Sequence, residues 1–244
     1  MKKRILSLLL ALVMLVSMIP ATSMPAFAAE VSYRPEGGSG TKDDPFLIRT
    51  ERQWQVIFDS WGGKGTSFDG QYVKLLSDIV ATDYDDQYYL DINVSSHLDM
   101  NGHSVNFPIK VEDGKVVELT GNGSVEADGL FGNADWAVND GTLIINGSFT
   151  HKKFGDVRNG TLIVNGSFKS ETSSFGADIT IWGDGKIILN HPEAKIENLR
   201  LCNGAEAIIK QGTVSNLTGR NTSSFIMYGG RLEDDLRQTD DKTI

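Results

Sequence analysis

The sequence predicts an all-β protein wound as a parallel β-helix, a solenoid, with one short amphipathic helix capping its N-terminal end. Three observations carry this. From Gly65 to about Tyr228, β-type runs of three to five residues alternate with Gly, Asn and Asp, the pattern of short strands and frequent turns. Residues 139–149 return as residues 158–168, differing only at Asn139/Arg158, Asp140/Asn159 and Ile145/Val164. A copy after 19 residues is the period of a stacked repeat, whose unit buries its inner face only against its neighbours. Leucine-rich repeats share the period but need a Leu-x-x-Leu-x-Leu spacing that is absent. An antiparallel sandwich gives no reason for the copy.

The elements follow in chain order. Lys2, Lys3 and Arg4 precede an apolar run over residues 5–19, and Ala26-Phe27-Ala28 has the small-x-small form. This predicts a signal peptide over residues 1–28 and a secreted, extracellular chain. The run is too short for a spanning helix, which needs roughly 20 apolar residues. The full chain has a formal net charge of −9, and removing three cationic residues takes it to −12. That charge argues against nucleic acid, anionic lipid and teichoic acid, and leaves neutral glycans, proteins and calcium open. Cys202 is the single cysteine, so no internal disulfide forms and the thiol is expected buried.

Residues 29–65 read as a glycine-rich lead-in, a short strand at Pro45-Phe46-Leu47-Ile48, and a helix. Thr50 and Gln53 have capping-box spacing. Behind them Trp54, Ile57, Phe58 and Trp61 fall at i, i+3, i+4 and i+7, one apolar face; Gly62-Gly63 ends it. The helix is placed to cover the first solenoid turn, where an open strand edge would invite aggregation. Residues 66–230 form the β-helix. Within it, Gly185-Lys186-Ile187-Ile188-Leu189 echoes the stretch from Gly204 at 19 residues, and Asn101-Gly102 echoes Asn122-Gly123 at 21. Asn-Gly pairs are expected at bends that need positive φ. The Asn-x-Ser/Thr triplets at Asn93, Asn122, Asn146, Asn159, Asn165, Asn216 and Asn221 are read as the same turn chemistry. Residues 231–244 read as a polar C-terminal tail.

The order Gly38-Ser39-Gly40-Thr41, Asp44-Pro45-Phe46-Leu47-Ile48, helix, Tyr72-Val73-Lys74-Leu75-Leu76-Ser77-Asp78-Ile79 resembles the opening of large secreted Gram-positive surface proteins with a pectate-lyase-like right-handed β-helix. Leu98-Asp99-Met100-Asn101-Gly102-His103-Ser104-Val105 is similar to the "LDLNGHTI" segment of that group, and the Gly-Thr-Leu-Ile-x-Asn-Gly-Ser-Phe copies to its "GTLTINGGTF" repeats. The likeness covers roughly residues 37–230, and its motifs are structural ones. It implies a right-handed parallel β-helix, and members ranging from polysaccharide lyases and glycosidases to adhesin-like surface proteins. The chain departs from wall-anchored members in having no LPxTG-like signal and no surface-layer repeat.

Candidate sites are few. Asp83, Asp85, Asp86 and Asp91 form the densest acidic stretch and are the candidate calcium ligands, calcium taking six to eight hard oxygens. Tyr84, Tyr88 and Tyr89 lie among them and offer planar faces with polar tips for a sugar; a solvated or half-buried loop explains both sets equally. His97, His103, His151 and His191 share no metal-ligand spacing. Lys152-Lys153 with Arg158 is the local basic cluster, and no Gly-x-Ser-x-Gly supports a serine nucleophile. No residue is assigned a catalytic role. The reading is a non-enzymatic, adhesin-like module that binds a glycan or protein; a polysaccharide lyase or glycoside hydrolase, and a structural stalk or fragment of a larger surface protein, remain alternatives. Three or more Asp, Glu, Lys or Arg side chains converging in a groove on adjacent turns would mark an enzyme. A face of Thr, Ser, Asn and Lys would mark a binder.

Overall fold

Alternation of apolar and polar residues dictates the strands, and burial follows it: Thr142–Ile145 and Thr161–Val164 each bury their second and fourth residues and expose the others. The computed structural model describes residues 34–58, 68–81, 90–125, 134–170, 178–234 and 236–239. It is mostly β, and the named strands pair in parallel, in one nine-stranded and one 13-stranded sheet.

The strands form three ladders. The first is the nine-stranded sheet, running from Phe46–Ile48 and Gln71–Leu75 through Ser96–Asp99, Val116–Thr120, Thr142–Ile145, Thr161–Val164, Lys186–Leu189 and Glu206–Ile209 to Ser224–Met227. The second runs through Ser104–Val105, Asn122–Val125, Ser148–His151 and Phe168–Ser170. The third runs through Leu90–Ile92, Ile109–Glu112, Trp136–Asn139, Gly155–Arg158 and Ile179–Trp182. Lys195–Cys202 pairs through Lys195 with the second ladder and through residues 199–202 with the third, which joins the two into the larger sheet. From Gln71 onward the chain visits the first, second and third ladders in turn and then returns to the first. The second ladder's share of the earliest visit is a single bridge, Ile79 to Val105.

Register puts like on like. Leu143 pairs with Leu162 and Ile145 with Val164, then Leu162 with Ile187 and Val164 with Leu189. All six are buried, so the core is a set of apolar columns whose members lie one strand spacing apart, about 4.8 Å. The step along the first ladder varies, from Phe46↔Val73 to Ile208↔Ile226, because the chain between successive first-ladder strands differs in length.

The helix, α1 (Glu51–Phe58), is the one helix among the described residues. Its capping box forms in both directions: the Gln53 amide donates to Thr50 Oγ1 at 3.3 Å and the Thr50 amide to Gln53 Oε1 at 3.1 Å. Trp54, Ile57 and Phe58 are buried. Trp54 meets Phe107 edge-on at 5.1 Å, and the Phe58 carbonyl accepts the Asn93 amide at 3.0 Å, so the helix packs on the first turns of sheet. Trp61 lies outside the described residues.

Several sequence expectations need correction. The echo at 185 and 204 is not a 19-residue repeat, since Lys186 pairs with Glu206 and Ile187 with Ala207, 20 apart. A slip of one residue would have put Glu206 into the core beside Ile187. The 21-residue echo also fails: Asn101-Gly102 is a corner with both φ positive, whereas Asn122-Gly123 opens a strand. Positive φ falls on Asp140 and Asn159, at 55° and 53°, residue types that tolerate it. Gly147 and Gly166 do not have it. They are glycines because a Cβ at Gly147 would strike the Gly121 carbonyl oxygen, and one at Gly166 the Gly147 oxygen. Pairing also continues into the segment read as a tail: Arg231–Leu232 and Leu236–Thr239 both pair with Thr213–Arg220.

Truncating a column removes contacts from two layers at once. Leu143→Ala and Leu162→Ala are each expected to cost about 2–5 kcal/mol in denaturant unfolding. The double variant should depart from additivity by about 0.5–3 kcal/mol because the two side chains touch. Strict additivity would contradict the register.

Candidate functional site

The outward positions of the first ladder line up as the inward ones do, since both follow from one register. The central outward row reads Tyr72, His97, Glu118, Ile144, Ile163, Ile188, Ile208 and Ile226. In its first part Tyr72 stacks on His97, with ring centroids 4.1 Å apart and planes 8° from parallel. His97 Nδ1 lies 2.5 Å from Glu118 Oε2, and Asn146 Nδ2 donates to Glu118 Oε1. Beside this row Lys74 pairs with Asp99 at 3.3 Å.

Asn146 opens a second row, at the residue just past each strand. Asn165 Nδ2 donates to Asn146 Oδ1 at 2.9 Å, and Asn190 Nδ2 to Asn165 Oδ1 at 2.7 Å. Identical amides one strand spacing apart each donate to the next, so the side chains stay ordered on an exposed corner. On the other flank lie Thr142 and Thr161, then Lys186 and Glu206, an ion pair. The centre of the face is therefore Thr, Ile and Asn in straight rows. Its charged groups lie at the first turns and in the Lys186–Glu206 pair further along, each beside an opposite or polar partner.

The residues singled out in the sequence fare unequally. Asp83, Tyr84, Asp85, Asp86, Tyr88 and Tyr89 lie outside the described residues. Asp91 is described only in its backbone, which pairs with Lys110. Among the described residues no group of three or more His, Cys, Asp or Glu is placed to hold a metal. The four histidines are dispersed: His97 in the row above, His103 3.4 Å from Asp78, His191 bonded to the Glu193 amide. The basic cluster divides. The Lys152 and Lys153 amides donate to Asp135 Oδ2 at 2.8 and 2.6 Å, which fixes that loop. Arg158 belongs to the outer face of the third ladder, where it bonds Asp156 at 2.7 Å. Cys202 is 2 % exposed, and burial raises its thiol pKa, against nucleophilic use.

His151 is buried on the second ladder, in the inward column after Val125. It packs against Trp136 and Phe168. Neither ring nitrogen has a hydrogen-bond partner, and Asp135 Oδ2 is 4.0 Å away. Desolvation pushes the imidazole pKa down to about 3, so it serves the core as a neutral side chain. The row that links Tyr72, His97 and Glu118 escaped the sequence reading because its members lie 25 and 21 residues apart with no shared motif.

Comparison of the chain with protein-family models, curated proteins and solved structures gives no match.

Because the folded imidazole titrates below its ordinary value of about 6.5, the unfolded chain binds the extra proton as pH falls from about 6.5 toward 3. Stability should therefore fall over that window, by about 1.4 kcal/mol per pH unit once well below 6.5. Urea midpoints between pH 7 and pH 5, above most carboxylate titration, read it out. His151→Leu should flatten the slope; an unchanged slope would locate the titrating group elsewhere.

Proposed function

We propose that the chain is a secreted or cell-surface module, a right-handed parallel β-helix of the pectate-lyase-like kind, that binds a glycan or protein partner without transforming it. The parallel ladders visited in fixed order support the coil, and strand twist favours the right hand for parallel connections. The cationic, apolar and small-x-small segments of residues 1–28 support secretion. The observation that carries the binding role is the first ladder's outward face: Thr142 and Thr161, the isoleucine row, and the Asn146–Asn165–Asn190 amide ladder, repeated at one strand spacing. Rows of donors, acceptors and apolar ridge at constant spacing suit an extended, repetitive ligand.

A second reading, glycoside hydrolase, has one observation behind it. Asp99 and Glu118 stand on adjacent strands of the same face, beside Lys74, His97 and Tyr72. Hydrolysis needs one carboxyl free to give a proton and one free to attack or to activate water. Here Asp99 is paired to Lys74, and Glu118 to His97 and Asn146, which favours binding over chemistry.

A glycan array with and without calcium, together with assays for unsaturated and reducing sugar release, separates the two. Glycan capture without release is expected, and Asn165→Ala with Ile163→Ala should weaken capture at least tenfold. Calcium dependence would draw Asp83, Asp85, Asp86 and Asp91 into the site. Sugar release abolished by Glu118→Gln would overturn the non-enzymatic reading.

A further inference from the structure

The third ladder's outward face holds a cationic and aromatic patch that the proposed binding role does not use. Register places Arg158, Trp182, Cys202 and Arg220 in one outward row, and Asp156, Thr180, Arg200 and Thr218 in the row beside it. Neighbours in a row lie about 4.8 Å apart. Arg200 therefore stands diagonally between Trp182 and Arg220.

Three facts set this patch apart. The protein is acidic, at −9, yet here three arginines share two rows with one acid, Asp156, whose Oδ2 bonds Arg158 at 2.7 Å and whose Oδ1 is covered without a partner. Arg200 and Arg220 have no carboxylate partner among the described residues, and the Nε of each is covered from solvent with no hydrogen-bond acceptor. An unanswered buried donor on a charged group is costly to leave. Trp182 keeps 37 % of its surface exposed, on rigid strand backbone beside the arginines.

We propose that this patch binds a sulfate ester carried on a saccharide ring. Two guanidinium forks from adjacent strands match a tetrahedral group with three terminal oxygens, since each fork can take two in parallel hydrogen bonds. A sugar ring attached to that group lies over the indole, whose face takes the ring's C–H edge. Thr218 lies beside Arg200 in its own row and supplies a hydroxyl. The acidic remainder of the surface repels the same ligand, so anion binding concentrates on this face. The inference rests on the third ladder and stands independently of what binds the first.

The test is titration of the full chain, at low and at physiological salt, with three probes: a sulfated disaccharide, its unsulfated counterpart and inorganic sulfate. Tryptophan fluorescence and calorimetry are the readouts. The sulfated sugar should bind at least tenfold tighter than either control, weaken with salt, and perturb fluorescence. Trp182→Phe should abolish that fluorescence change. Arg200→Gln with Arg220→Gln should weaken binding at least tenfold, with thermal unfolding confirming the fold. Arg200→Lys, which keeps the charge and loses the fork, should fall between. Equal binding of the unsulfated sugar, equal binding of free sulfate, or unchanged affinity in the double Arg variant would each overturn the proposal. If the double variant does not fold, Trp182→Phe and Arg200→Lys decide the matter: unchanged binding in both overturns it.

Discussion

Parallel pairing in register is the constraint from which the remaining features descend. When Leu143 is fixed beside Leu162, every other residue on the two strands is fixed too, inward ones over inward ones and outward over outward. Burying one leucine column thereby aligns the threonine, isoleucine and asparagine rows outside it. The hydrophobic effect acts most strongly on the fully buried inner set, and the order imposed there carries over to the outer set. Regular surface rows are thus a consequence of core packing and need no separate stabilisation.

The close vertical approach of the turns explains where glycine is required. At the corner after the first ladder, Gly121, Gly147 and Gly166 stack so tightly that a Cβ on an upper residue would meet a carbonyl oxygen below. At the corner before it the demand is different: Asp140 and Asn159 take the left-handed conformation. The repeated Asn-Gly pairs in the sequence thus conflate two physical demands, one for short distance and one for positive φ. Gly155 answers a third, since a Cβ there would enter the indole of Trp136 in the neighbouring strand.

This bounds what the sequence reveals. Parallel strands, the helix and its reciprocal cap, and the layering of the 19-residue copy were all legible, because each rests on local chemistry or on near-identity. The stretch at 204–209 was misaligned by one residue: its glycine attracts the eye, but Gly204 has positive φ and Gly185 does not. Burial of Ala207 and Ile209 sets the true register instead. The outward assemblies were not legible. Tyr72, His97 and Glu118, or Arg158, Trp182 and Arg220, meet only because loops of unequal length deliver them to equivalent positions, and no fixed spacing encodes that.

Two of the buried polar groups are tied to the bends. Asp135 and Asp178 are both fully buried, each just before a third-ladder strand. Asp135 accepts the Lys152 and Lys153 amides, and Asp178 the Asn198 amide at 2.9 Å. Each carboxylate therefore takes backbone amides just before the residues that pair with the strand it precedes, the side-chain equivalent of a missing rung.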